Sequence, residues 1–131
     1  MHRSRLTSAL LDVPPAVADA EASFWSSALG SPTERDDSDP AYVELTRLLG
    51  GLRIMVQGIG DDASARVHLD IETDDVEAEV RRLEGLGATR VQAVKTWWVM
   101  RDPAGLLFCV VRVQSPEEFA RQATLWDDRP N

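Results

Sequence analysis

Cysteine is all but missing from this chain: Cys109 is the single one among 131 residues, so no intrachain disulfide can form and an oxidising compartment is not called for. Basic charge is also short. Fourteen Lys and Arg stand against 22 Asp and Glu, and the formal charge of −8 disfavours nucleic acid and anionic membrane surfaces, because phosphate binding needs a basic footprint. Small neutral or cationic ligands suit such a chain better. Long apolar runs are lacking too. The N-terminal MHRSRLTSALLDVPP turns briefly apolar, but Thr7, Ser8 and Asp12 interrupt it and Pro14 stops it, which makes it too short and too polar for a secretory or membrane segment. No lipidation signal stands out, and the expectation is a cytoplasmic protein. There is also no G-x-x-x-x-G-K, no G-x-G-x-x-G at a strand–helix junction, no H-E-x-x-H and no G-x-S-x-G. Nucleotide-fold, zincin and esterase chemistries are therefore without support, and GIGDD reads as a linker rather than a phosphate loop.

What is present is a patterned globular chain. With 44 % apolar and 27 % charged residues it is an ordinary soluble domain, long enough to bury a core. Residues 66–72 alternate, with Val67, Leu69 and Ile71 on one face and His68, Asp70 and Glu72 on the other, which predicts a strand with a core side and a functional or wet side. A helix follows from Asp75 to Leu86, capped by Asp74 with Glu77 three positions on, striped by Val76, Val80 and Leu83 and stopped by Gly87. Then come TRVQAVKT, WWVM and LLFCVVRV, the last two joined by a tight turn over 101–105 that carries Pro103 and Gly105.

The order strand, helix, three strands is repeated less plainly over residues 6–57. LTSALLDV predicts a strand, and Ala16 to Leu29 a helix whose inward stripe is Val17, Ala20, Phe24 and Ala28, ended by Gly30. SPTERDDSDP, residues 31–40, reads as an exposed loop. Tyr42–Arg47 and Leu52–Gln57 are strands, the second introduced by Gly50-Gly51, and residues 58–65 link the halves. A third strand is expected here and is short or hidden. In the tail, Phe119 and Trp126 are candidate anchors for one or two helical turns. A supersecondary unit present twice places the binding cleft between its copies.

FWSSALG (24–30), HLDIETDDVEAEVRRLEGLGA (68–88) and WWVMRDPAGLLFCVVR (97–112), in that order, resemble the vicinal oxygen chelate superfamily, the group of glyoxalase I, bleomycin-resistance proteins and extradiol dioxygenases. The resemblance implies an α+β fold, two βαβββ modules forming a curled mixed sheet around a cleft. One glyoxalase-like domain spans residues 1–131, with modules over 4–60 and 65–114 and a C-terminal tail over 115–131. It also implies a small organic molecule as ligand and a homodimer as the assembly. Metal-dependent members take four inward ligands, commonly His and Glu, from the first and last strands of each half. His68 matches the first-strand position of the second half. The other positions fall on Cys109, on Met55 and, depending on register, on Ser8 or Leu11.

That donor set is soft and lacks the carboxylates that hold nickel, iron, manganese or catalytic zinc, so no cofactor is expected, and a divalent metal is the lesser alternative. His and Cys could hold zinc or copper if Asp70 or Glu44 joined them. His68 is either a hydrogen-bonded cleft histidine or, oriented by Asp70, a general base of a lyase or isomerase. Cys109, flanked by Leu107, Phe108, Val110 and Val111, is a small core residue or a cleft contact. Arg53 and Gln57 can bind a carboxylate or carbonyl, although Arg53 can equally be tied to Glu44. Trp97 and Trp98 point to opposite faces of one strand, with Trp98 expected beside Met100. Trp98, Met55, Leu107 and Tyr42 would together make an apolar, π-rich wall for a flat or cationic molecule. The three functions in view are a metal-independent small-molecule binder, an enzyme working through His68, and an interaction module with no ligand.

Overall fold

The computed structural model describes residues 1–47, 51–60 and 64–127. It is α+β. The chain runs β1 (His2–Val13), α1 (Ala18–Leu29), β2 (Thr33–Arg35), β3 (Tyr42–Leu45), β4 (Arg53–Gly58), β5 (Arg66–Thr73), α2 (Val76–Gly85), β6 (Thr89–Val94), β7 (Trp97–Arg101), β8 (Leu107–Arg112), α3 (Pro116–Gln122) and β9 (Thr124–Trp126). Its contacts divide it into two compact units, one of Ser8–His68 and one of Met1–Thr7 with the chain from Leu69 on, so β1 and β5 each run from one unit into the other.

In the Ser8–His68 unit the strand order is β2-β3-β4-β1. β1 and β4 are parallel, from Ser8 opposite Arg53 to Val13 opposite Gly58, while β4, β3 and β2 form an antiparallel meander. β2 is the third strand of the first module, and it lies inside the segment expected to be loop. All three of its residues are exposed, so it has no buried face from which an alternation can be read. The Gly50 half of the Gly50-Gly51 pair and the centre of the 58–65 linker lie outside the described residues.

Val13, Ala22, Val43 and Val56 form the core of this unit, with Leu11 and Ala18 packed against it. The stripe expected to face that core faces out instead: Phe24 is 60 % exposed and Val17 48 %. α1 is apolar on two adjoining stripes, and the one that docks is Ala18 and Ala22, whose small side chains let the helix lie close to the sheet. Gly30 ends the helix at φ +65°, the left-handed conformation that favours glycine.

In the other unit β5 and β8 are parallel, β8, β7 and β6 are antiparallel, and β9 lies antiparallel on the start of β1. Val80 of α2 packs with Met100, Phe108 and Val110, flanked by Leu69, Ile71, Leu83 and Trp98. The helix cap is Asp75, not Asp74 as expected: Asp75 accepts from the Ala78 amide at 3.0 Å. Asp74 is taken by Arg3, whose backbone amide and Nε donate to it at 2.7 and 3.0 Å. The tail anchors as expected, with Phe119 buried and Trp126 donating through Nε1 to Ser4 at 2.9 Å.

The polar face of β5 is not uniformly wet. Glu72 is fully buried and accepts from Nε of Arg5 at 2.8 Å and from the amides of Gln114 and Ser115 at 2.6 and 3.0 Å. It therefore braces the start of α3 rather than facing a ligand.

Candidate small-molecule site

Ladder pairing fixes which side chains of the Ser8–His68 unit share a face. Leu11, Val43 and Val56 point to α1. Ser8, Leu10 and Asp12 of β1, opposite Arg53, Met55 and Gln57 of β4, therefore lie on the face away from α1, and Glu44 and Tyr42 of β3 continue it as partners of Met55 and Gln57. This settles the register left open by the sequence: Ser8 is on this face, and Leu11 packs toward the α1 core.

Tyr42, Glu44, Arg53 and Met55 line one pocket of about 380 Å³, with residues 34–38 at its mouth. Four of the residues predicted to bind are thus brought together by two adjacent strands. The Arg53 guanidinium is held as a fork by Glu44, Nε to Oε1 at 2.9 Å and Nη2 to Oε2 at 3.1 Å. Gln57 donates through Nε2 to the Tyr42 hydroxyl at 2.8 Å. At the mouth, the Ser38 hydroxyl and then its amide donate to Asp36 at 2.6 and 2.8 Å and hold that carboxyl below its ordinary value. Arg35 is engaged by Asp19 at 2.6 Å. The wall is acidic on balance: Glu34, Asp36, Asp37 and Glu44 stand against Arg35 and Arg53, and both arginines already meet a carboxylate.

His68 lies near the start of β5, in this unit, and its ring nitrogen Nδ1 is 2.5 Å from Oδ2 of Asp12. Asp70 shares His68's face of β5 by the strand's period of two, but the carboxylate on Nδ1 belongs to Asp12. Sequence reasoning missed Asp12. Its signal was available as the lone acid of β1, two positions past Leu10 on the face that carries Ser8.

The remaining predicted residues lie in the other unit. Cys109 is half-buried on β8 and is the ladder partner of Asp70. Leu107 shares its face, being two residues away. Trp98 shares a face with Met100 and packs against the core under α2, with the Arg90 guanidinium 4.8 Å from its ring centre. That is the opposite face from Leu107 and Cys109. A second pocket of about 440 Å³ in this unit, lined by Leu69, Ile71, Leu106, Phe108 and Trp126, touches none of the predicted residues.

Of the positions that the resemblance marks for metal ligands, β1 carries the Ser8 hydroxyl and β4 the Met55 thioether in the Ser8–His68 unit, and β8 carries the Cys109 thiol in the other.

Solved structures with this arrangement of elements place the fold. A glyoxalase/bleomycin resistance protein/dioxygenase superfamily member from Vibrio splendidus is 20 % identical, with 82 % of this chain and 97 % of that one covered at a TM-score of 0.56. A structure described as NAD-dependent benzaldehyde dehydrogenase from Legionella pneumophila is 16 % identical over 82 % of this chain and 98 % of that one, at 0.61. Methylmalonyl-CoA epimerase from Mycobacterium tuberculosis is 15 % identical over 86 % and 89 %, at 0.52. The fold is thus that of the glyoxalase/bleomycin resistance/dioxygenase superfamily. Within it the chain belongs to the glyoxalase-like domain family, whose model matches residues 9–111. No curated protein matches it.

Proposed function

We propose that this protein binds a small organic cation, without a metal, in the pocket walled by Tyr42, Glu44, Arg53 and Met55. The observation that carries this is the charge of the wall: its arginines are already neutralised by carboxylates, which leaves the acidic side chains at the mouth in excess. Tyr42 supplies an aromatic surface against which an ammonium or guanidinium group gains attraction from the ring quadrupole. Met55 adds a polarisable apolar contact that adapts to ligand shape. The pocket volume is at the lower end of those that take drug-sized molecules.

Isothermal titration of the protein, stripped of metal by chelator, with a panel of organic amines, guanidines, neutral aromatics and carboxylates tests this. Saturable binding of cations that weakens in Tyr42→Ala and Glu44→Gln is expected. A preference for carboxylates, or binding that needs added divalent metal, would overturn it.

We further infer a cytoplasmic homodimer. The single cysteine suits a reducing compartment, and among the described residues no helix is long and apolar enough to cross a membrane. Val17, just before α1, and Phe24, seven residues on, are both exposed on one side of it, an apolar surface that a second copy would cover. Sedimentation equilibrium of the wild type against Phe24→Ser checks the dimer, and a wild-type monomer at high micromolar concentration would sink it.

A further inference from the structure

The cavity of about 440 Å³ lies wholly within the unit of Met1–Thr7 and the chain from Leu69 on. α2 packs over β8, β7 and β6, and β5 comes next beyond β8 in the strand order. Leu69 and Ile71 of β5 are therefore only half-buried, and with Phe108 they give the cavity an apolar wall on the face of β8 opposite to Leu107 and Cys109. Leu6 and Leu106 also border it and are 43 and 48 % exposed, which puts them at its mouth. The polar groups around it are engaged with one another or with the backbone. Glu79 accepts from the Ser4 hydroxyl and from Nε and Nη2 of Arg82, whose guanidinium also lies 3.8 Å from the centre of the Trp126 ring. Ser4 accepts from Nε1 of Trp126, Arg5 donates to Glu72, and Asp102 accepts the amides of Ala104 and Leu106.

We propose that this cavity is a second binding site, for a neutral, largely apolar small molecule, separate from the cation pocket walled by Tyr42, Glu44, Arg53 and Met55. Its volume is in the range that encloses small organic ligands. Water held against Leu69, Ile71 and Phe108 gains few hydrogen bonds, so an apolar molecule displaces it favourably. Charge is selected against for a separate reason. Arg5 and Arg82 border the cavity with Glu79 and Asp102, so neither sign is in excess, and a charged ligand would give up its hydration for no net attraction. The wall is also held rigidly, because β5 is fixed to β8 and the start of β1 to β9 by ladder pairing.

The probe is prodan, a neutral naphthyl ketone whose emission moves to the blue when it leaves water. Fluorescence titration of the full chain should show saturable binding with a blue shift. Competitors of similar shape then separate charge from size: 2-acetylnaphthalene should displace prodan about tenfold or more better than 2-naphthoate or 2-naphthylmethylammonium. That comparison needs no variant. Leu106→Trp and Leu6→Trp each put an indole into the mouth from a half-exposed position and should weaken prodan binding by about tenfold. Leu86→Ser removes a leucine that is 67 % exposed and does not border the cavity, and should leave binding unchanged. No saturable binding, a preference for either charged naphthalene, or an affinity unchanged in both folded tryptophan variants would overturn the proposal. So would a wild-type dimer that Leu106→Trp disperses while prodan goes unbound, which would give the cavity to a second copy of the chain. Neither outcome decides the cation reading, whose pocket draws its walls from the Ser8–His68 unit.

Discussion

Arg5 and Glu72 form an ion pair at 2.8 Å with both side chains shut away from water. Glu72 also accepts two backbone amides at the start of α3, and Arg5 reaches Gln122 at the end of that helix at 3.1 Å, so the pair fastens the tail segment at both ends. Removing one member leaves the other charged and buried. Glu72→Ala is therefore expected to destabilise the protein by about 3–5 kcal/mol in urea unfolding. Glu72→Gln retains an acceptor for the amides and should cost less. A cost for Glu72→Ala below about 1 kcal/mol would show that α3 is held by other contacts, Phe119 first among them.

This pair also marks what the sequence did and did not reveal. Alternation along residues 66–72 correctly put Glu72 on the side away from Leu69 and Ile71, but alternation distinguishes faces and not solvent from a buried ionic partner. The partner is Arg5, distant in the chain, and no local pattern names it. The same holds for Asp12 and His68. His68 meets Asp12 of β1, which is distant in the chain and which no local pattern names. Local signals did better: the Gly87 stop, the turn at 101–105 and the tail anchors depend on residues close in sequence, and all are in place. The shared face of Tyr42, Glu44, Arg53 and Met55 was also legible, because two adjacent strands bring period-two residues together.

Glu79 of α2 is buried among His2, Ser4 and Arg82, which donate to its carboxylate at 2.6, 3.0 and 2.8 Å. Burial by itself raises its pKa, but the hydrogen bonds from Arg82, His2 and Ser4 outweigh burial and hold it below the ordinary value. A carboxyl whose pKa is depressed on folding contributes stability above its unfolded pKa of about 4.3, and that contribution is lost as pH falls through the folded value. Thermal melts should therefore show an acid limb beginning near pH 4 to 5. Glu79→Gln should be less stable than the wild type at pH 7 by about 1–3 kcal/mol, with the gap closing below pH 4. A gap that stays constant from pH 7 to pH 3 would show that Glu79 does not titrate in this window.

On α1 the docked stripe and the exposed stripe make opposite predictions. Phe24→Ser changes a side chain that is 60 % exposed, so monomer stability should move by no more than about 0.5 kcal/mol. Ala22→Leu forces extra volume between the helix and Val13, Val43 and Val56 and should cost about 1–3 kcal/mol. Chemical unfolding at low protein concentration separates these effects from any on assembly. The reverse order of costs would mean that α1 docks through Val17, Ala20, Phe24 and Ala28, as the helical period first suggested.

Arg53 and Glu44 separate ligand charge from pocket shape. Their fork ties β4 to β3, and each side chain is about one-third exposed, so the pair contributes little to stability and about 1 kcal/mol is the most expected on breaking it. Its effect on binding should be larger and should depend on which partner is changed. Glu44→Gln keeps the shape and removes a negative charge from the wall, so an organic cation should bind about tenfold more weakly, the equivalent of about 1.4 kcal/mol. Arg53→Met removes the positive charge and releases the Glu44 carboxylate to the pocket, so the same cation should bind more tightly. Opposite signs from two substitutions of one ion pair cannot come from a general loosening of the sheet, which would weaken binding in both. Calorimetric titration of both variants with one cation thus tests the charge of the site, and weaker binding in both would overturn the reading that its charge selects the ligand.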